Sequence, residues 1–160
     1  MTDRSMQRVE MVERQIARRG VRDPHVLEAM RTVPREDFAD PGMEEFAYED
    51  GPLPIGDGQT ISQPYIVALM IEAAELRPGQ RALEIGYAAA VLSRIADSVH
   101  AIERHDGLTT KARARLEGLG YNNVALRTGD GTRGWPEEAP FDAILVAAGA
   151  PSAPHSLKRQ

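Results

Sequence analysis

The stretch RALEIGYAAAVLSRIADSVHAIERHDGLTTKARARLEGLGYNNVALRTGD, residues 81–130, decides the fold of this chain. Short apolar pieces alternate in it with longer pieces of helical spacing, and one further apolar piece follows a loop. The strand-like pieces are residues 81–86, 98–104, 123–130 and 141–151, and the helix-like pieces are residues 88–96 and 107–120. Apolar strands joined by helical crossovers form parallel sheets that carry helices on their faces. The sequence therefore predicts an α/β fold.

The residues before this stretch predict a helical N-terminal extension. Apolar residues recur every three or four positions on one stripe of a first helix, namely Met6, Val9, Val12 and Ile16. Asp23 followed by Pro24 is typical of a helix start and predicts a second helix. Residues 34–63 are rich in proline and glycine and predict a long irregular segment. We therefore divide the chain into a helical and loop extension, 1–62, and an α/β core, 63–160, that fold as one unit.

The composition limits the class of protein. The chain has 160 residues, 42% of them hydrophobic, and its 19 basic and 24 acidic side chains give a net charge of −5. A chain of this size usually forms one globular domain, and an acidic balance argues against a nucleic-acid partner. Its apolar runs are much shorter than the roughly 20 residues that cross a bilayer, so no membrane partner is expected. Because it has no cysteine and no apolar leader-like segment, we expect a cytoplasmic location.

Acidic residues and glycines stand where the predicted strands end. Open parallel sheets bind ligands beyond the carboxyl ends of their strands, and three predicted strands finish at Gly86, Glu103 and Asp130. The Glu103 carboxylate can accept hydrogen bonds from both hydroxyls of a ribose, and Asp130 can accept one from the amine of an adenine. The alternatives are that Glu103 is a solvated charge and that residues 129–131 are only a turn. Together, the three strand ends favour a ligand that contains a nucleoside.

Four segments resemble a known family, the protein-L-isoaspartate O-methyltransferases. They read VLEAMRTVPREDF (26–38), AYEDGPLPIGDGQTISQPYIVALM (47–70), RALEIG (81–86) and LGYNNVALRTGDGTRGWPEEAPFDAILVAAGAP (119–151), and they run through almost the whole chain. The resemblance implies a Rossmann-like, S-adenosylmethionine-dependent methyltransferase fold. It also implies S-adenosylmethionine as methyl donor and an isoaspartyl residue of a damaged protein or peptide as acceptor.

The resemblance also implies roles for single residues. Ser62 would lie at the reaction centre, where its hydroxyl donates a hydrogen bond to the acceptor carboxylate and orients it. The implied cofactor-binding residues are Thr60, Ile61, Glu84, Gly86, Glu103, Arg104, Asp130 and Gly131, and the implied substrate-binding residues are Ile55, Gln59, Gln63 and Pro64. The alternative for Ser62 is a helix cap before Gln63 and Pro64. No metal is expected.

The implied reaction needs little from the protein beyond placement. The acceptor is a free α-carboxylate with a pKa of about 3.5, so it is ionised at neutral pH and needs no general base. Positioning a carboxylate oxygen in line with the donor methyl can lower the barrier by several kcal/mol. A dinucleotide-dependent oxidoreductase is not favoured, because the G-x-G-x-x-G fingerprint is absent after the first predicted strand.

Two features differ from the family pattern. Gly86 is followed directly by Tyr87 and Ala88–Ala90, where the family has a longer glycine-rich turn, so we expect alanine Cβ atoms to enter the space of the cofactor's methionine portion. The family also continues past residue 160 into further strands. The parallel sheet would then be truncated, with residues 143–148 at an edge through which we expect self-association. The alternative to an enzyme is a non-catalytic module that binds isoaspartyl peptides and has lost the cofactor.

Overall fold

The computed structural model describes residues 4–85, 88–149 and 151–160. Two units, Met1–Glu75 and Leu76–Gln160, each have most of their contacts within themselves. In the described part of the chain, no helix combines the length and the apolar character needed to cross a bilayer.

The first unit contains the predicted N-terminal helices. Its α-helices are α1, Arg4–Met11, α2, Pro24–Thr32, and α3, Pro64–Ala73. Its shorter π- or 3-10 turns are Val12–Ile16, Ala17–Arg19, Arg35–Phe38 and Glu44–Phe46. The α2 helix begins as predicted, because the Asp23 carboxylate accepts hydrogen bonds from the backbone N–H groups of His25 and Val26 at 2.8 and 3.4 Å. These bonds satisfy backbone donors that a helix start otherwise leaves unpaired.

The predicted apolar stripe of the first helix is wrong in its first half. Val12 and Ile16 are fully buried, but Met6 and Val9 are 70% and 47% exposed. The inward position one turn before Val12 belongs to Arg8, whose guanidinium has hydrogen-bond partners inside the unit. Arg8, Val12 and Ile16 are spaced four residues apart and so share one helix face. A paired charge thus stands where the periodicity predicts an apolar side chain.

The segment predicted as irregular, residues 34–63, contains a β-hairpin. Strands β1, Leu53–Gly56, and β2, Gln59–Ile61, pair antiparallel. Asp57 and Gly58 form the turn with φ values of +50° and +66°. Positive φ at both positions of an Asp-Gly pair is typical of the tight turn that suits the twist of a hairpin. The hairpin fixes the point from which the chain continues into α3.

The second unit confirms the predicted α/β fold. Its elements are β3, Arg81–Ile85, α4, Ala89–Leu92, β4, Ser98–Glu103, α5, Asp106–Gly118, β5, Val124–Thr128, and β6, Ala143–Val146. Among the described residues, the strands form one four-stranded sheet in the order β5-β4-β3-β6, and every pair is parallel. As predicted, β6 lies at an edge of this sheet.

The α4 helix is shorter than predicted. Residues 88–96 have helical spacing, but only Ala89–Leu92 form an α-helix, and turns follow. The Ser93 hydroxyl donates to the carbonyl of Ala90 at 2.7 Å, a local bond of the kind that competes with helix hydrogen bonds. The alanines of this segment are buried, since Ala88, Ala89 and Ala90 are at most 6% exposed.

A hydrophobic cluster covers one region of the sheet. Its buried members are Leu83, Ile102 and Leu157, and partly buried Trp135, Phe141, Ile144 and Val146 pack against them. Leu157 belongs to a 3-10 turn, Leu157–Arg159. The last described residues therefore contribute to the core of the second unit.

The boundary between the two units lies after α3, between Glu75 and Leu76. The boundary predicted from the sequence lies before α3, between residues 62 and 63. The reason is packing, because α3 contacts α2 and the π-helical turn. The buried side chains of α3 are Pro64, Val67, Ala68 and Ile71. The α3 helix is therefore part of the first unit.

Candidate functional site

The carboxyl ends of the parallel strands lie along one edge of the sheet. Glu84 of β3 is in register with Ala101 of β4, and Glu103 of β4 is in register with Thr128 of β5. The backbone N–H of Gly129 donates to the carbonyl of Glu103 at 2.9 Å, which holds the two strand ends together. The structure therefore brings the predicted residues of β4 and β5 to the same edge. Gly86, the third predicted strand end, lies outside the described residues.

Glu103 has a carboxylate oxygen available at this edge. Its Oε1 accepts a hydrogen bond from the backbone N–H of His105 at 2.9 Å, and the side chain is half-buried. The other oxygen, Oε2, has no hydrogen bond within the described residues. A carboxylate oxygen can accept two hydrogen bonds. Glu103 is thus neither a fully solvated charge nor fully occupied, and it can accept a ligand hydroxyl.

The Asp130 side chain takes part in a turn, which is the alternative that the sequence left open beside adenine binding. Its Oδ1 accepts hydrogen bonds from the backbone N–H and the hydroxyl of Thr132, at 3.0 and 2.7 Å, and so forms a turn. The hydroxyl bond, then the backbone bond, lowers the pKa of Asp130, and the charges of Arg133 and Arg104 lower it further. The exposed carboxylate is therefore ionised at neutral pH and can only accept. Its Oδ2 lies 3.9 Å from Arg133 Nε, and Gly131 begins the 3-10 turn that follows.

Glu84 faces inward. Its side chain is fully buried, and Oε1 accepts a hydrogen bond from the backbone N–H of Ala88 at 2.9 Å. This bond ties the chain after β3 back to the strand that precedes it. Arg104 differs, because its side chain is exposed.

Ser62 lies between β2 and α3 with a half-buried side chain. The residue that caps α3 is Gln63, and no side chain forms a cap hydrogen bond there. Within the described residues the Ser62 hydroxyl has no hydrogen-bond partner. The structure therefore does not support the capping alternative. It leaves the Ser62 hydroxyl able to donate to a ligand.

The other predicted loop residues divide into accessible and inaccessible side chains. Gln59 and Thr60 are exposed, and Ile55 is half-buried. Ile61 is fully buried and Pro64 is less than 2% exposed, because one ends a core strand and the other begins a core helix. For Ile61 and Pro64, a ligand contact is open only to backbone atoms.

Sequence reasoning missed a polar network beside Ser62. Gln63 Nε2 donates to Asp50 Oδ1 at 2.6 Å, and Arg19 Nη1 donates to both carboxylate oxygens of Asp50 at 3.1 Å. The guanidinium carbon of Arg19 lies 3.7 Å from the ring centroid of Tyr65. No local spacing announces these contacts, because Arg19 and Asp50 are 31 positions apart. In the sequence, only the polar residue types at positions 48–50 hint at this network.

Comparisons with known proteins find relatives along nearly the whole chain. The sequence model of the protein-L-isoaspartate(D-aspartate) O-methyltransferases matches residues 6–160. The chain is 62% identical over 154 residues to protein-L-isoaspartate O-methyltransferase 2 of Pelobacter propionicus. This match covers 94% of the chain and 68% of that protein. It is 60% identical over 163 residues to protein-L-isoaspartate O-methyltransferase 1 of Rhodopseudomonas palustris strain HaA2, covering 99% of this chain and 66% of that protein.

Solved structures are similar as well. A protein-L-isoaspartate O-methyltransferase matches with a TM-score of 0.83 and 33% identity, over 95% of this chain and 51% of that one. A Plasmodium falciparum structure described as a protein-L-isoaspartate O-methyltransferase in complex with S-adenosyl-L-homocysteine matches with a TM-score of 0.78 and 26% identity, over 94% and 77%. The predicted Rossmann-like methyltransferase fold is confirmed. The chain spans about two thirds of the two curated relatives and half of the first structure.

Proposed function

This chain belongs to the protein-L-isoaspartate(D-aspartate) O-methyltransferase family, and from that premise we propose that it methylates isoaspartyl residues. The donor is S-adenosylmethionine, and the acceptor is the free α-carboxylate of an isoaspartyl residue in a damaged protein or peptide. The observation that carries the proposal is the placement of Glu103 and Asp130 at adjacent strand ends, joined by the hydrogen bond from Gly129 to Glu103.

The strand-end residues fit the adenosyl part of the donor. A ribose needs acceptors for its hydroxyls, and Glu103 offers a half-buried carboxylate with one oxygen not bonded within the described residues. An adenine amine needs one acceptor, and the Oδ2 of Asp130, which lies 3.9 Å from Arg133 Nε, accepts no hydrogen bond within the described residues. Glu84 would serve the site indirectly, through its hydrogen bond to the backbone N–H of Ala88.

Ser62 and the loop residues near it are proposed to hold the acceptor. The bound donor supplies a methyl group on a positively charged sulfur, and its carbon–sulfur bond breaks as the new carbon–oxygen ester bond forms. The acceptor carboxylate is already ionised at neutral pH, so no residue has to remove a proton. Ser62 donates its hydroxyl hydrogen to one carboxylate oxygen and thereby directs the other toward the donor. Its rate effect is positional.

Methyl transfer to a defined peptide tests this proposal. We expect a base-labile methyl ester on a peptide with one isoaspartyl residue, and none on the same peptide with aspartate. The Ser62→Ala variant should lose about tenfold to a hundredfold in kcat, because one orienting hydrogen bond is removed. The Ser98→Ala variant is the matched control, since Ser98 lies at the amino end of β4.

Two results would separate this proposal from the non-catalytic alternative. Transfer that needs both the donor and the isoaspartyl linkage supports the enzyme. Binding of the isoaspartyl peptide that is indifferent to added donor, without any ester, supports the binding module.

The open edge of β6 supports a second proposal, that copies of the chain associate through residues 143–148. In the described sheet β6 pairs only with β3. Apolar residues of β6 also line a cleft of about 500 Å³, together with residues of the 152–158 segment. An uncovered apolar strand edge pairs readily with another chain.

A further inference from the structure

The side chain of Gln63 has a fixed direction. Gln63 Nε2 is 2.6 Å from Asp50 Oδ1, and an ionised carboxylate can only accept a hydrogen bond. The amide nitrogen must therefore face Asp50, and the amide oxygen must face away from it. An amide is otherwise free to turn over, because its two ends have the same shape. The Asp50 contact removes that freedom.

Asp50 is itself held in place. Both of its oxygens accept hydrogen bonds from a single nitrogen of Arg19, Nη1, at 3.1 Å, and hydrogen bonds between charged groups are stronger than those between neutral groups. The Arg19 guanidinium in turn stacks on the ring of Tyr65 at 3.7 Å, a favourable cation–π distance. The chain of contacts therefore runs from Tyr65 through Arg19 and Asp50 to Gln63.

The amide oxygen of Gln63 has no hydrogen-bond partner among the residues that the structure describes. Gln63 is half-buried, and its amide oxygen accepts no hydrogen bond within the described residues. The preceding residue, Ser62, has a hydroxyl that is likewise without a partner there. Consecutive residues thus offer one hydrogen-bond donor and one acceptor. The pair is complementary to a ligand that carries a carboxylate next to an N–H group.

Isoaspartyl residues have this chemistry. The carbon that bears their free α-carboxylate also bears their backbone N–H. In an ordinary aspartyl residue a methylene group separates the carboxylate from that carbon. We infer that the Gln63 amide oxygen accepts the backbone N–H of the isoaspartyl residue whose carboxylate Ser62 orients, and that Asp50 is the positioning residue that turns the Gln63 oxygen outward. The inference rests on the substrate class of the proposed function and identifies how that class is told from aspartate.

Peptide binding tests this inference without any methyl transfer. Fluorescence anisotropy would compare a labelled isoaspartyl peptide with its aspartyl counterpart, both without donor. Asp50→Leu removes the acceptor that orients Gln63 and should reduce the preference for the isoaspartyl peptide about tenfold, the effect of one hydrogen bond. Asp50→Asn has the same charge as the leucine variant but keeps one acceptor oxygen, so it should retain most of the preference. Glu49→Leu is the neighbouring control, because Glu49 is exposed.

A double variant separates positioning from general loss of structure. Gln63→Met should also lose the preference, and adding Asp50→Leu to it should change nothing further, because the effect of Asp50 passes through Gln63. Additive losses would overturn the inference. Thermal unfolding shows whether each variant folds. If Asp50→Leu does not fold, Gln63→Met alone tests the inference, and an unchanged isoaspartyl preference in Gln63→Met would contradict it.

The outcomes distinguish this inference from the proposed function. A wild-type chain that does not prefer the isoaspartyl peptide overturns the inference. A wild-type chain that binds with the expected preference but forms no methyl ester refutes the proposed activity and leaves the inference standing. Methyl transfer by a chain whose preference is unchanged by Asp50→Leu supports the proposed activity and refutes the inference.

Discussion

At the scale of the residue, Glu103 is the side chain on which donor binding depends most. Its half-buried carboxylate keeps one oxygen for a ligand, and hydrogen bonds to a charged group contribute about 1.5–3 kcal/mol. Glu103→Ala should therefore weaken S-adenosylhomocysteine binding by at least tenfold in a calorimetric titration. Glu117→Ala, an exposed position on α5, is the control and should bind normally. Equal affinities for the two variants would remove Glu103 from the donor site.

His100 makes the stability of the second unit depend on pH. His100 is 8% exposed, its Nε2 lies 3.3 Å from Glu138, and its ring packs edge-on against Trp135 at 5.2 Å. Burial lowers the pKa of His100, the charge of Glu138 opposes this, and the charge of Arg81 adds to it. As the pH falls below the ordinary value of 6.5, the unfolded chain takes up the proton first, so stability decreases in that window.

Urea unfolding at several pH values checks this expectation. The wild-type unfolding free energy should decrease between about pH 7 and pH 5, and His100→Gln should flatten that part of the curve. His155→Gln, at an exposed position, should leave the slope unchanged. If the His100→Gln variant keeps the same slope of unfolding free energy against pH, the pH dependence belongs to another group.

Single residues also show what sequence reasoning can reach. The positions of Glu103 and Asp130 follow from where parallel strands end, which apolar runs predict well. The contacts of Asp50 could not be predicted, because its partners are 13 and 31 positions away and depend on how the first unit folds. Glu84 is an intermediate case, since its place on β3 was predictable and its inward hydrogen bond was not.

At the scale of the element, a buried arginine joins α1 to the rest of the first unit. Arg8 is 14% exposed in its side chain, donates to the Tyr48 hydroxyl at 2.9 Å, and pairs with Glu36 at 3.2 Å. It also donates to the Thr32 carbonyl at 3.2 Å, one of the unpaired carbonyls at the end of α2. The Tyr48 hydroxyl donates to Glu36, and burial, then this bond, raises the pKa of Tyr48. Tyr48 is therefore a neutral donor at physiological pH.

Removing this arginine should destabilise the first unit. Arg8→Met should lower the unfolding free energy by about 3 kcal/mol or more, because Glu36 is left buried without its counter-charge. Arg14→Met is the matched control, since Arg14 forms an exposed pair with Glu10 and such pairs contribute at most about 1 kcal/mol. Denaturant unfolding measures both, and equal losses would contradict the assigned role of Arg8.

Elements were predicted less evenly than residues at strand ends. The strands of the core were predicted because their apolar runs are continuous, whereas the β1–β2 hairpin was missed although Asp57-Gly58 is a strong turn signal. Prolines and glycines around it suggested an irregular loop. The length of α4 could not be predicted from the spacing of its apolar residues, because the Ser93 hydroxyl competes for the carbonyl of Ala90.

At the scale of the whole molecule, the edge of β6 predicts association. In light scattering, the apparent mass should rise with protein concentration, because β6 is apolar and pairs on one side only within the described sheet. A mass that stays that of one chain across the accessible range would contradict this proposal. The methyltransferase assignment does not depend on it.

The division of the chain shows why boundaries are harder to predict than elements. Pro64 marks the start of α3 correctly, but a helix start does not say with which elements the helix packs. Packing of Val67 and Ile71 places α3 with the N-terminal helices. The sequence therefore predicts the elements, and tertiary contacts decide their grouping.

One titration tests the central claim that this chain uses an adenosyl methyl donor. S-adenosylhomocysteine added to the purified chain in a calorimeter should bind saturably at a single site, with an affinity that Glu103→Ala weakens and Glu117→Ala does not. Absence of binding heat at millimolar ligand, in a chain that unfolds cooperatively, would contradict the account.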